Sequence, residues 1–235
     1  MARRRAANAG RENLDADHVG RYDGKEDAGA AAEVALLQEL GLDGGSTVVD
    51  LGAGTGQLAL AVAPICAAVV AVDVSPPMLA ALRAGIRARG LTNVEVVQGG
   101  FLTYRHTGAP VDVVYSRYAL HHLPDAWKAI ALTRIHQLLR PGGIFRLWDV
   151  VYDFEPQQAT ERLEAWCASG GTGVVGEWSR AEYEEHVRDE HSTFTWLLEP
   201  MIARAGFRIE RATHTADGIF AQYVLRRPAQ QPAGR

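Results

Sequence analysis

The chain has 235 residues, 47% of them hydrophobic, and a formal charge of −4, which suits one domain with additions and a substantial buried core. It shows no apolar span of membrane length, and the negative balance argues against a nucleic-acid partner, whose binding rests on phosphate neutralisation. Two cysteines, Cys66 and Cys167, form neither a disulfide framework nor a metal set and suit the cytoplasm; the basic residues 1–5 are followed by no apolar signal segment.

Residues 1–20 are polar and read as loose. A helix is expected over 27–40, with Ala30, Val34, Leu37 and Leu40 on one face. Strands are expected at 47–51, 68–73, 94–98, 111–115 and 143–150, with helices over 56–63, 76–89 and 125–139 between them. Ser75 is a candidate N-cap for the helix that opens on Pro76-Pro77. The helix over 125–139 is expected to bury Trp127, Ala131, Ile135, Leu138 and Leu139 and to stop at Pro141-Gly142-Gly143. Apolar strands alternating with helices imply a parallel sheet covered on both faces.

After residue 150 the pattern becomes helical over 153–192, with a capping box from Ser179 to Glu182, and reads as an insertion over the sheet. A helix over 194–205 contains Pro200, which should kink it or mark its start. Residues 207–213 and 219–225 read as strands around an Asp217-Gly218 turn. The organisation expected is an N-terminal segment and helix at 1–43, a core at 44–151, a helical insertion at 152–195, a last helix and strand pair at 196–226, and a disordered tail at 227–235.

The chemistry concentrates in Val49-Asp50-Leu51-Gly52-Ala53-Gly54-Thr55-Gly56. Glycines at alternate positions turn the chain sharply and admit a ligand to bare backbone at the start of a helix. A dinucleotide fingerprint would place glycine at position 57, where Gln57 stands, and this disfavours a nicotinamide enzyme. Asp73 ends the second strand, placed to accept hydrogen bonds from ribose hydroxyls.

Four further blocks follow in order: Val72-Asp73-Val74-Ser75-Pro76-Pro77-Met78-Leu79, then 94–101, then 112–123 with His121-His122-Leu123, then Leu139-Arg140-Pro141-Gly142-Gly143. With these blocks, residues 44–150 resemble a class I S-adenosylmethionine-dependent methyltransferase, of the type called UbiE-like or methyltransferase domain 11/25. The resemblance implies an α/β, Rossmann-like, doubly wound and mostly parallel seven-stranded sheet, with an antiparallel last strand and a helical insertion after the fifth strand. It also implies S-adenosyl-L-methionine as cofactor, with S-adenosyl-L-homocysteine as product. The cofactor residues it implies are Tyr22 in an N-terminal lid, Asp50, Gly52, Gly54, Gly56, Asp73, Val74, Met78, Gly100, Phe101 and Arg117. Gly100 departs from the pattern, which has an acid there for the adenine amino group.

His121 and His122 are the candidates for acid–base work, because histidine titrates near neutral pH; no spaced metal-ligand grouping surrounds them in sequence. The acceptor pocket is expected to use Tyr118, Trp148, Asp149, Tyr152, Trp166, Trp178 and Trp196, with His186 and His191 as surface or capping residues. The expected partner is a small, planar or aromatic methyl acceptor, with no nucleic acid or membrane, in a monomer or homodimer. RNA or protein methylation, and cofactor binding without turnover, are the alternatives.

Overall fold

The computed structural model describes residues 29–171 and 178–229; Tyr22 and the part of the expected N-terminal segment before residue 29 lie outside the described residues. Helix α1 (Ala30–Glu39) precedes β1 (Thr47–Leu51), α2 (Gln57–Val62), β2 (Ala68–Asp73), α3 (Pro76–Arg89), β3 (Val94–Gln98), β4 (Val111–Arg117), α4 (Asp125–Leu138) and β5 (Leu139–Tyr152). The insertion contributes α5 (Ala159–Ala168), α6 (Arg180–Asp189) and the two-residue β6 (Thr193–Phe194). Helix α7 (Thr195–Arg204) and strands β7 (Arg208–His214) and β8 (Phe220–Arg226) follow.

The sheet runs β3-β2-β1-β4-β5-β8-β7, with β6 added beside the end of β5. Strand β8 lies antiparallel between β5 and β7, and the pairs β3-β2, β2-β1, β1-β4 and β4-β5 are parallel. This is the Rossmann-like architecture expected, with the short β6 as an eighth strand. Side chains alternate across the pleat. Val49, Leu51, Val70 and Val72 face one core with α4 and α7, while Val48, Val69 and Ala71 face the other with α1, α2 and α3. Two covered faces explain why these strands read as unbroken apolar runs.

Local signals set several boundaries. Ser75 Oγ accepts from the Met78 amide at 3.3 Å, with Pro76 and Pro77 opening α3, and the Ser179–Glu182 capping box opens α6. Other expectations shift. In α4 the buried stripe is Lys128, Ala131, Leu132 and Ile135; Trp127, one position off that stripe, is exposed. Leu139 begins β5 rather than ending α4. Pro200 sits inside α7, not at its start, where its missing N–H forgoes the bond to the Trp196 carbonyl. In α1, Glu33 is buried beside Leu37. Its carboxylate takes Arg146 Nε at 2.8 Å and Nη2 at 2.7 Å, a forked pair that fastens the helix to β5. The expected tail is anchored at its first residue: Arg227 exchanges backbone bonds with Gly142 and Gly143.

Candidate functional site

The site opens at the carboxyl ends of β1, β2 and β4, where an open α/β sheet binds ligands. After β1 the chain passes through positive φ at Gly52 (78°), Gly54 (55°) and Gly56 (89°). Their jobs differ. A Cβ on Gly52 would lie 2.4 Å from the Ala119 Cβ, and one on Gly56 2.1 Å from Leu82 Cδ1, so both serve close packing within the protein. At Gly54 the nearest atom is Met78 Sδ at 4.0 Å, which leaves that glycine facing open space.

Asp73 ties this loop to the next. Its Oδ2 accepts from the Gly54 amide at 2.9 Å and its Oδ1 from the Ser75 amide at 2.8 Å. Each carboxylate oxygen keeps a second lone pair for a ligand. Burial pushes its carboxyl up, against the Ser75 and Gly54 hydrogen bonds that lower it. Asp50, Gly54, Tyr115, Arg117 and Tyr118 line one cavity. Burial, then the Asp73 charge, pushes the Asp50 carboxyl up to about 7, so a cation in the cavity would hold it ionised. The Tyr115 hydroxyl is buried there with no hydrogen-bond partner among the described residues, and burial keeps it neutral, as a donor. A carboxyl in need of a cation, an unpartnered hydroxyl and a glycine open to the cavity suit the zwitterionic tail of the expected cofactor.

Arg117 stacks over two rings, 4.1 Å from the centroid of Trp148 and 4.7 Å from that of Tyr118. Tyr118 has φ 49°, the one positive value outside glycine among the described residues, a strained conformation of the kind that clusters at functional sites. Gly100 has a packing reason: a Cβ there would lie 2.9 Å from Val74 Cγ1. A carboxylate at that position would require Val74 to move, and the Gly100 amide instead bonds Thr103 Oγ1 at 3.0 Å. Phe101 packs against the sheet core, with its carbonyl taken by Arg134 Nε. Met78 is buried under the glycine loop.

Beyond Tyr118 a second cluster begins. His121 Nδ1 pairs with Asp149 Oδ1, and His122 Nδ1 with Glu190 Oε2 at 2.6 Å. Asp149 lies inside β5, which continues to Tyr152 rather than ending at 150 as expected. Its carboxylate is fully engaged with the Leu120, His121 and Val150 amides as well as the His121 ring. It orients His121 rather than presenting itself to an acceptor. Burial tends to raise the Glu190 carboxyl, but the His122 hydrogen bond and the charges of His122, His121 and His186 outweigh it and hold it at about 2.

His186 is not a surface residue. Its ring lies 4.9 Å from that of His121 and 5.2 Å from that of Trp166, and its Nε2 meets Ser192 Oγ at 2.8 Å. Burial, then the His121 charge, lowers it to about 3. Tyr183, His186, Val187 and Glu190 form an i, i+3, i+4, i+7 stripe, a signal that could have placed His186 and Glu190 on the inner face of α6. Through its amide, His191 caps the His121 carbonyl at 3.0 Å.

The expected aromatic pocket divides. Tyr118 lines the cavity, and Trp148 lies beneath Arg117. Tyr152 and Trp166 are buried in the insertion's own core, Trp178 is half-buried, and Trp196 is 52% exposed and stacked on Phe194. The histidine pair also gains a third potential ligand, Glu190, that sequence spacing did not bring near it.

Residues 48–143 match the model of the methyltransferase domain family. The chain is similar to an uncharacterized methyltransferase of Geobacillus kaustophilus, at 32% identity over 132 residues; the match covers 55% of this chain and 60% of that relative's length. It is 28% identical to one from Geobacillus thermodenitrificans over 77% of this chain and 78% of the other. Among solved structures, the magnesium protoporphyrin IX methyltransferase of Synechocystis with bound S-adenosylhomocysteine shares the fold. Its TM-score is 0.60 at 17% identity, over 85% of this chain and 82% of the other.

Proposed function

We propose, from the premise that this chain belongs to the class I S-adenosylmethionine-dependent methyltransferases, that it methylates a nitrogen, oxygen or carbon atom of a small, planar or aromatic metabolite. The observation that carries the reading is the cavity lined by Asp50, Gly54 and Tyr115, with Asp73 bonded to the Gly54 amide behind it and a histidine pair braced by carboxylates after Tyr118. S-adenosylmethionine supplies a methyl group already activated by the sulfonium charge.

The chain's own residues do the rest. Asp50 and the Tyr115 hydroxyl hold the ammonium and carboxylate of the methionine portion, with Arg117 behind them. Asp73 accepts from the ribose hydroxyls, and Val74 and Met78 pack on the adenine, which is recognised without a carboxylate at position 100. Tyr118 and Trp148 shape the acceptor side and exclude water. Positioning of the nucleophile in line supplies most of the acceleration. For an acceptor that keeps its proton at working pH, His121 takes it, held in one tautomer by Asp149. The aromatic density around Tyr118, Trp148 and Phe220 favours a planar acceptor; the Synechocystis structure has magnesium protoporphyrin IX in its name, a planar substrate on the same fold.

Calorimetry with S-adenosylhomocysteine tests the cofactor half. Asp73→Ala should weaken binding by about 10- to 100-fold, the loss of hydrogen bonds to a charged group; no binding by the native chain sinks the reading. Transfer of labelled methyl to a panel of phenols and aromatic amines, set against RNA and peptides, tests the acceptor half.

A further inference from the structure

Three donor groups meet at the junction of the insertion and the core. His121 and His122 lie in the short turn after β4, Glu190 stands at the end of α6, and one ligand atom from each lies within 4.8 Å of the other two. We propose that His121, His122 and Glu190 bind one divalent transition ion of the zinc, cobalt or nickel class.

Two imidazoles and one carboxylate are the donor set such ions favour, and three protein ligands leave a position open. The pocket is sheltered: the three side chains are 6%, 11% and 14% exposed. The surroundings match a metal site as well. Metal-bound histidines commonly give their second ring nitrogen to a carboxylate, which fixes tautomer and ring orientation. Asp149 does this at His121 Nδ1, and it is itself fixed by the Leu120 and Val150 amides. Nε2 of His121 is thereby the nitrogen presented as a ligand.

Without the ion, His122 Nδ1 and Glu190 Oε2 face each other at 2.6 Å and share a proton. Ligation at Nδ1 moves that proton off the nitrogen, to solvent from an imidazolium or to Nε2 in a neutral ring. Protons compete with the ion for the ligand atoms, so affinity should fall as the solution is acidified. His186 stays outside the ligand set, because its Nε2 is bonded to Ser192 Oγ. An acceptor hydroxyl or amine at the open position would become more acidic, relieving the histidines of acting as base.

The test is a cobalt(II) titration of the chelator-treated full chain, followed by visible ligand-field absorption. A saturating band at one ion per chain is expected, weaker at about pH 6 than at about pH 8. Asp149→Asn should lower affinity about 10- to 100-fold. Glu190→Gln, whose folding is checked by its melting curve, should lose the band or change its shape. Absence of a band in the native chain overturns the proposal, as does an unchanged band and affinity in Glu190→Gln. The spectrum reads the ion and not methyl transfer, and S-adenosylhomocysteine binding on the same sample reads the cofactor assignment separately.

Discussion

The two halves of the site are built by different means. On the cofactor side, backbone amides do the holding: Gly54 and Ser75 donate to Asp73, and Gly52 and Ala53 donate to the Val72 carbonyl. Partners there come from two adjacent strand–loop–helix units. Around the proposed acceptor side, ionisable side chains brace one another across the fold, His121 with Asp149 and His122 with Glu190, and elsewhere on β5 Arg146 is braced in the same way by Glu33. The glycine loop admits little change in shape. The braced pairs admit little change in charge.

Glu33→Ala tests the second arrangement most severely. It strands the Arg146 guanidinium in the interior, and breaking one side of such a pair costs about 3–5 kcal/mol. The denaturation midpoint should fall accordingly, and a stability unchanged within error would show that the brace carries no weight. Gly52→Val tests the first arrangement by shape alone. A branched side chain at φ 78° with its Cβ 2.4 Å from Ala119 should cost about 3 kcal/mol through strain and overpacking. Calorimetry should show S-adenosylhomocysteine affinity down by at least about 100-fold.

A pH titration separates the halves again. His186 is lowered from 6.5 to about 3, so between those values the unfolded chain binds a proton that the folded chain refuses. The His186 contribution to stability therefore falls as pH drops from about 6.5 toward 3, by about 2 kcal/mol at pH 5. The Glu190 contribution has the opposite origin: it is fully present above about 4.5 and is lost as pH falls toward 2. Between pH 5 and 6.5 the Asp50 carboxyl, raised to about 7, contributes the opposite slope, so the histidine is isolated by the difference between two proteins. Melting curves of His186→Phe should gain about 1.5 kcal/mol on those of the native chain as pH falls from about 6.5 to 5. The smallest effect belongs to Trp196→Ala, an exposed residue outside both arrangements. Turnover should be unchanged and stability lowered by about 0.5–1.5 kcal/mol, the loss of its stack on Phe194.

The same contrast explains what the sequence made legible. The glycine loop, Asp73 and α3 were readable because their partners are near in sequence: Ser75 caps its own helix and Gly90 closes it in the left-handed region. Asp149 was read as an acceptor-facing residue because its partners lie 28 and 29 residues back, in a turn whose geometry no local pattern encodes. Glu33 stood next to the apolar positions of its helix, and nothing nearby announced an arginine on the fifth strand. Aromatic content marked out the insertion but not its inside. Tyr152 and Trp166 proved to be its core, and Trp196 its outer surface.

Asp73 has a consequence for the timing of order. Its two oxygens join the turn after the first strand to the turn after the second, using only bonds internal to the chain. Both turns have therefore surrendered their conformational freedom before any ligand arrives. A molecule entering this cavity meets a surface with little entropy left to lose, so its contacts are expressed as affinity instead of being consumed in ordering the loops.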